Sequence, residues 1–133
     1  MSQVAVRYAK SLIELAEEKG QLDTVYADMR KVLAGCRQIK DLQLLLKSTL
    51  VKTDKKIHVF KEIFKGQVCH MTEEFIMLLT RNRRESYLEN IADQFIVQYK
   101  EKMHIVTVTV TSAVKLDDAI RAKIIEVLKK AYK

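Results

Sequence analysis

From Val4 to about Met103 the apolar residues recur at helical spacing, and no proline interrupts them anywhere in the 133 residues. A segment with that period and without its strongest breaker folds as several helices around one core, with turns where the pattern lapses. The first of these helices, Val4 to Lys19, is the most demanding. On a wheel at ~100° per residue, Val4, Leu15, Tyr8, Leu12, Ala5, Ala16, Ala9, Ile13 and Val6 share one arc of about 200°. A surface helix covers a single core with a stripe of roughly 100° or somewhat more, so the surplus calls for a second partner. One edge of the arc carries Val4, Tyr8 and Leu15 beside the small Ser11, and the other carries Ala9, Ile13 and Val6. Either edge can meet another part of this chain or another chain.

Gly20, free to take positive φ, ends that helix. The second, Gln21 to Arg37, follows at once, and its narrower stripe of Leu22, Val25, Tyr26, Met29, Val32, Leu33 and Cys36 satisfies one core. So short a link predicts an antiparallel hairpin. Asp41 reads as the cap of a short leucine-rich turn, Leu42 to Leu46, and Thr53 as the cap of a fourth helix that runs through Lys65 and stops at Gly66. Thr72 opens the fifth helix, where the unbroken apolar run from Phe75 to Leu79 points all round the axis and demands either burial or an outer partner. Ser86 and Glu89 form an S-x-x-E capping box for a sixth helix reaching about Met103.

At His104 the period changes. Ile105 to Thr111 alternates, with Val106, Val108 and Val110 on one side and Thr107, Thr109 and Thr111 on the other, which is the pattern of a strand. A further helix follows, capped by Asp117 with Asp118 in its first turn and faced by Ile120, Ile124, Val127, Leu128 and Ala131. A lone strand has no ladder partner. Either another chain supplies one, or the sequence stops partway through a second domain, which is the expectation adopted. The fold class expected is mainly α: a six-helix bundle over residues 1–104, then one strand and one helix at 105–133 that begin a small α/β domain.

Charge narrows the partners without choosing one. The net charge is +7, from 24 Lys and Arg against 17 Asp and Glu, with local knots at Lys52, Lys55 and Lys56 and at Arg81, Arg83 and Arg84. Such a surface favours nucleic acid, anionic lipid or an acidic protein. A basic helical nucleic-acid-binding protein is the alternative reading. Against it, aromatic residues make up only 7% and fall mostly on inner faces, and no helix offers a row of base-reading side chains. Catalytic chemistry is nearly silent. His58, His70 and His104 lack metal-ligand spacing, Cys36 and Cys69 read as small buried apolar residues, and no phosphate-cradling glycine motif is present. The carboxylate pairs Glu17 and Glu18, Glu73 and Glu74, and Asp117 and Asp118 read as solvated charges and caps. No catalytic, metal or cofactor site is therefore expected. No apolar run of about 18 residues and no leader marks membrane insertion or export, which fits a bacterial cytoplasmic protein.

Several stretches carry a family likeness. Arg7-Tyr8-Ala9-Lys10-Ser11-Leu12 followed by Glu14-Leu15-Ala16 resembles the opening of the delta subunit of F-type ATP synthases, called oligomycin-sensitivity-conferring protein in mitochondria. Leu45-Leu46-Lys47-Ser48-Thr49-Leu50-Val51, Lys61-Glu62-Ile63-Phe64, Leu78-Leu79 with Asn82, and Val110-Thr111-Ser112-Ala113-Val114 with Leu116 match the same family in order and spacing. The sequence departs from it where the family often has proline (Thr49) and glycine then arginine (Arg83 and Arg84). The resemblance implies a non-catalytic stator subunit of the peripheral stalk. In it an N-terminal bundle holds the N-terminal helix of an alpha subunit between the first and fifth helices, and a C-terminal domain meets the b subunits. It implies a protein that is monomeric in isolation and that reaches the cytoplasmic face of the membrane only through the complex, during proton-driven ATP synthesis. The groove expected on that basis is formed by Val4, Tyr8, Ser11, Leu12, Leu15, Phe75, Leu78 and Leu79.

Overall fold

The computed structural model describes residues 3–103 and 118–131. Among them are α1 (Gln3–Glu18), α2 (Leu22–Gln38), α3 (Lys40–Lys47), α4 (Thr53–Phe64), α5 (His70–Arg81), a 3₁₀ turn (Glu85–Tyr87), α6 (Leu88–Lys102) and α7 (Asp118–Ala131). The chain is mainly α, as its period requires. The strand expected at Ile105 to Thr111 and the Asp117 cap fall outside the described residues. Among the described residues no helix is long and apolar enough to cross a membrane.

The predicted hairpin of the first two helices does not form as such. α1 and α2 touch each other little, and each packs chiefly on α6. The reason lies in the side chains each helix turns inward. α1 contributes Ala5, Ala9, Leu12, Ile13 and Ala16, and its three alanines allow close approach. α6 contributes Leu88, Ile91, Ala92, Phe95 and Tyr99. Polar ties fix α6 to both neighbours. Gln98 Nε2 donates to the Val6 carbonyl at 3.2 Å, and Lys102 pairs with Glu17 at 2.8 Å. The Tyr99 hydroxyl donates to Asp23 Oδ1 of α2 at 2.7 Å, while its ring stacks on Tyr26 at 3.8 Å. Elsewhere α4 packs on α5, and α7 lies on α4 with Ile124 and Leu128 buried and the Lys123 ammonium donating to the Lys65 carbonyl at 3.1 Å.

Two helix ends share one device. Gly20 has φ +69, and past it the Gln21 N–H reaches the Ala16 carbonyl at 2.8 Å while its own N–H reaches Glu17 at 3.1 Å. This closes the end of α1 as a Schellman motif. After α5 the same pair of bonds recurs, from Arg84 N–H to Leu79 at 2.7 Å and from Arg83 N–H to Thr80 at 3.1 Å, with Arg83 at φ 59. An arginine therefore holds the left-handed conformation that glycine takes without strain. Gly66, at φ +76, follows α4 as expected.

The helix starts differ from the sequence reading. Ile39 rather than Asp41 precedes α3, Lys52 rather than Thr53 precedes α4, and Ser86 is taken into the 3₁₀ turn, so its capping box does not form. The fifth helix begins at His70, two residues before Thr72, because its cap comes from another helix. The buried Asp28 of α2 accepts through Oδ2 from the Cys69 N–H and from the Thr72 hydroxyl, each at 2.8 Å. It thereby does from a distance what a glutamate at the third helical position does within a capping box.

Candidate functional site

With its alanine face committed to α6, α1 leaves Ser11 exposed, Val4 and Tyr8 half-buried, and Leu15 42% exposed. The other edge of its arc is largely consumed, since Ala9 and Ile13 are buried and only Val6 remains accessible. On α5 the apolar run resolves in the same way. Phe75, Ile76, Met77 and Leu79 are buried, and Leu78 alone of the five stays 45% exposed. α1 and α5 scarcely meet along their backbones. Between them opens an apolar cavity of about 440 Å³ whose walls include Leu12, Leu15, Met71, Phe75 and Leu78.

The two helices run past each other in opposite senses. Tyr8 packs edge-on against Phe75, with ring centroids 6.1 Å apart, and its hydroxyl accepts from Asn82 Nδ2 at 3.4 Å beyond the end of α5. At the opposite end the lining comes from Lys19 and Gln21 on one side and from His70 and Glu74 on the other. His70 Nε2 lies 3.6 Å from Glu74 Oε1, both well exposed, and Arg81 adds a second cation to the wall. Nothing in this wall offers a nucleophile with a base beside it. What the arrangement can do is take an apolar helix edge, with lysine and arginine at its borders.

Of the residues expected here, Leu12, Leu15, Phe75 and Leu78 line the cavity together, and Tyr8 joins them through Phe75. Leu79, next to Leu78 in sequence but about 100° round the axis, is 1% exposed and belongs to the core. Val4 and Ser11 lie along the same edge of α1 without lining the cavity. Met71 is the apolar residue that the sequence reading missed. Met71, Phe75 and Leu78 stand at i, i+4 and i+7, a signal visible in the sequence but lost by starting the helix at Thr72.

A sequence profile described as the ATP synthase delta (OSCP) subunit matches residues 4–133. The chain belongs to this family. It is 40% identical over 121 residues to the ATP synthase subunit delta of Cytophaga hutchinsonii, covering 91% of this chain and 66% of that protein. It is 38% identical over 119 residues to that of Chlorobium phaeobacteroides, covering 90% and 66%, and 30% identical over 118 residues to that of Prochlorococcus marinus, covering 89% and 66%. The chain thus spans just under two thirds of the length of these delta subunits. Membership of the delta family displaces the nucleic-acid reading, and the structure removes part of its basis. Lys56, one cation of the first basic knot, is 4% exposed and pairs with the buried Glu85 at 3.8 Å.

Proposed function

We propose that this chain is a non-catalytic stator subunit of the peripheral stalk of an F-type ATP synthase. The groove between α1 and α5 takes the N-terminal helix of an alpha subunit of the catalytic head. The region from residue 105 onward begins the α/β domain that leads to the b subunits of the membrane sector. Residues 1–104 form the alpha-binding unit, and the subunit, a monomer in isolation, associates with the cytoplasmic face of the membrane only through the complex. Its task is to resist rotor torque during proton-driven ATP synthesis.

The observation that carries this reading is the pair of leucines left half-open on facing helices, Leu15 and Leu78, over an apolar cavity. An amphipathic helix laid in the groove covers both, and completing their burial is worth roughly 1 kcal/mol each. Tyr8 supplies a large ring held in place by Phe75, and Ser11 is small enough to let a second backbone approach. Lys19 and Arg81 favour acidic positions on the incoming helix.

The test is titration with a peptide of the alpha subunit's N-terminal helix, alongside thermal melts. Tyr8→Ala is expected to weaken binding by about 1–3 kcal/mol, as for a central anchor. Ser11→Asp and Leu78→Asp, both at exposed positions, are expected to block binding and leave the melting temperature nearly unchanged. Parental affinity in all three variants, or loss that merely tracks unfolding, places the alpha-subunit contact elsewhere.

A further inference from the structure

A second cavity, distinct from the groove, lies where the end of α3, the start of α4 and the link between α5 and α6 come together. Its volume is about 550 Å³, within the range of pockets that hold ligands. Its floor is built from a buried pair. The Lys56 ammonium donates to the Ser48 carbonyl at 2.6 Å and lies 3.8 Å from Glu85 Oε2, both side chains being almost wholly buried. One residue from each of three segments is thereby locked to the others, so the cavity exists before anything enters it. Its charge is unbalanced. Lys47, Lys52, Lys56 and Arg83 line it against Asp54 and Glu85. Once Lys56 and Glu85 neutralise each other, two cations more than carboxylates remain, and among the described residues Lys47, Lys52 and Arg83 make no ion pair.

Beside this basic wall stands the most exposed large apolar side chain among the described residues. Leu50 is 93% accessible, on a turn whose shape is set by the Leu50 and Val51 N–H groups donating to Ser48 Oγ at 3.2 and 3.4 Å. A free inorganic anion explains the cations but leaves the leucine without purpose, whereas a peptide that carries carboxylates next to an apolar side chain uses both. We propose that this cavity is a second docking site, for an acidic segment of a protein partner that places glutamate or aspartate among Lys47, Lys52 and Arg83 and an apolar residue on Leu50. This goes beyond the alpha-subunit groove and does not depend on it, because the two cavities share no lining residue.

Backbone amide spectra of the labelled 133-residue chain, titrated with a capped peptide of glutamates around one leucine and in parallel with inorganic phosphate, provide the test. Peptide-induced shifts are expected within residues 46–56 and 83–86 and not at Leu15 or Leu78. Lys47→Glu combined with Lys52→Glu should weaken peptide binding by roughly tenfold and reduce its salt dependence. Arg83→Gly removes a cation while relaxing a left-handed turn, so it should lower affinity without lowering the melting temperature. Leu50→Ser should weaken peptide binding at an unchanged salt slope. The proposal is overturned if the shifts map to the α1–α5 groove, if the charge variants bind as the parent does, or if phosphate binds as well as the peptide and Leu50→Ser has no effect.

Discussion

Asp28 is the residue whose removal tests most directly how the groove is held. It is 5% exposed, and a single oxygen receives the N–H of Cys69, the residue that caps α5, and the hydroxyl of Thr72, itself fully buried. Asp28→Ala deletes both bonds and leaves α5 uncapped. Bonds to a charged acceptor contribute about 1.5–3 kcal/mol each, and relief from burying a carboxylate offsets part of that, so the net destabilisation should be about 3 kcal/mol. Thr72→Val removes the bond to Asp28 and the weaker 3.4 Å contact between the Thr72 hydroxyl and Cys69 Sγ, leaves the Cys69 N–H bond to Asp28 in place, and should cost about 1 kcal/mol. The two losses share a partner, so the double variant should be less destabilised than their sum by about 1 kcal/mol. Urea unfolding followed by helical circular dichroism measures all three. A loss below about 1 kcal/mol for Asp28→Ala, against the cost expected of a cap, would refute the assignment, as would strict additivity in the double variant. There is a functional consequence as well. The same bonds fix where α5 starts relative to α2, and therefore where Phe75 and Leu78 stand, so, if the proposed groove is the docking site, Thr72→Val should also weaken binding of the alpha-subunit peptide under conditions where the protein remains folded.

Two further outcomes concern titration and reactivity. The hydrogen bond to Asp23, with burial, lifts the Tyr99 hydroxyl from 10.0 to about 12, and burial lifts the Cys36 thiol from 9.0 to about 12. In each case the folded chain keeps a proton that the unfolded chain releases, so this stabilisation is complete below the lower values and is lost as pH rises through the higher ones. Urea midpoints should fall across that alkaline window, and less steeply in Tyr99→Phe; an equal slope in the variant would contradict the Asp23 bond. A thiol reagent at neutral pH should modify the half-buried Cys69 and spare Cys36 until the protein unfolds globally, as read by mass spectrometry in a urea series. Rapid labelling of Cys36 in native buffer would mean that the core around α2 opens locally.

The helices were legible because their information is local and repeated. An apolar stripe at helical period over ten or more residues leaves little choice of structure, and Gly20 and Gly66 stand where the chain turns at positive φ. What escaped depends on residues far apart in sequence. Nothing near Cys69 announces that Asp28, 41 positions earlier, caps α5, so local logic assigned the start to Thr72. The short α1–α2 link suggested a hairpin, yet both helices found a larger apolar surface on α6, which only the whole set of stripes could decide. Glu85 and Lys56 look like solvated charges until the fold brings them together and buries both. The groove was half-legible for a related reason. Surplus apolar surface on the first and fifth helices is a property of each helix alone, whereas which leucine is left over, Leu78 rather than Leu79, depends on how the fifth helix is rotated against the fourth.

That rotation also bears on how the groove can work. Each wall is braced from behind: α1 by α6, through its alanine face, the Gln98 bond to Val6 and the Lys102 pair with Glu17, and α5 by α4 together with the Asp28 cap. A groove already held open loses little freedom when filled, so the ordering cost of binding falls mainly on the incoming segment. The exposed Leu15 and Leu78, in turn, contribute only part of their apolar area to the fold, which leaves the remainder available to a partner. Stability and recognition are thereby divided between opposite faces of the same two helices. On α1 the buried alanines serve the bundle while Tyr8 and Leu15 face the groove, and on α5 Ile76 and Leu79 serve the core while Leu78 faces out. A substitution on the outer face can abolish docking without unfolding the bundle, and this separation makes the proposed alpha-subunit contact open to a clean experimental answer.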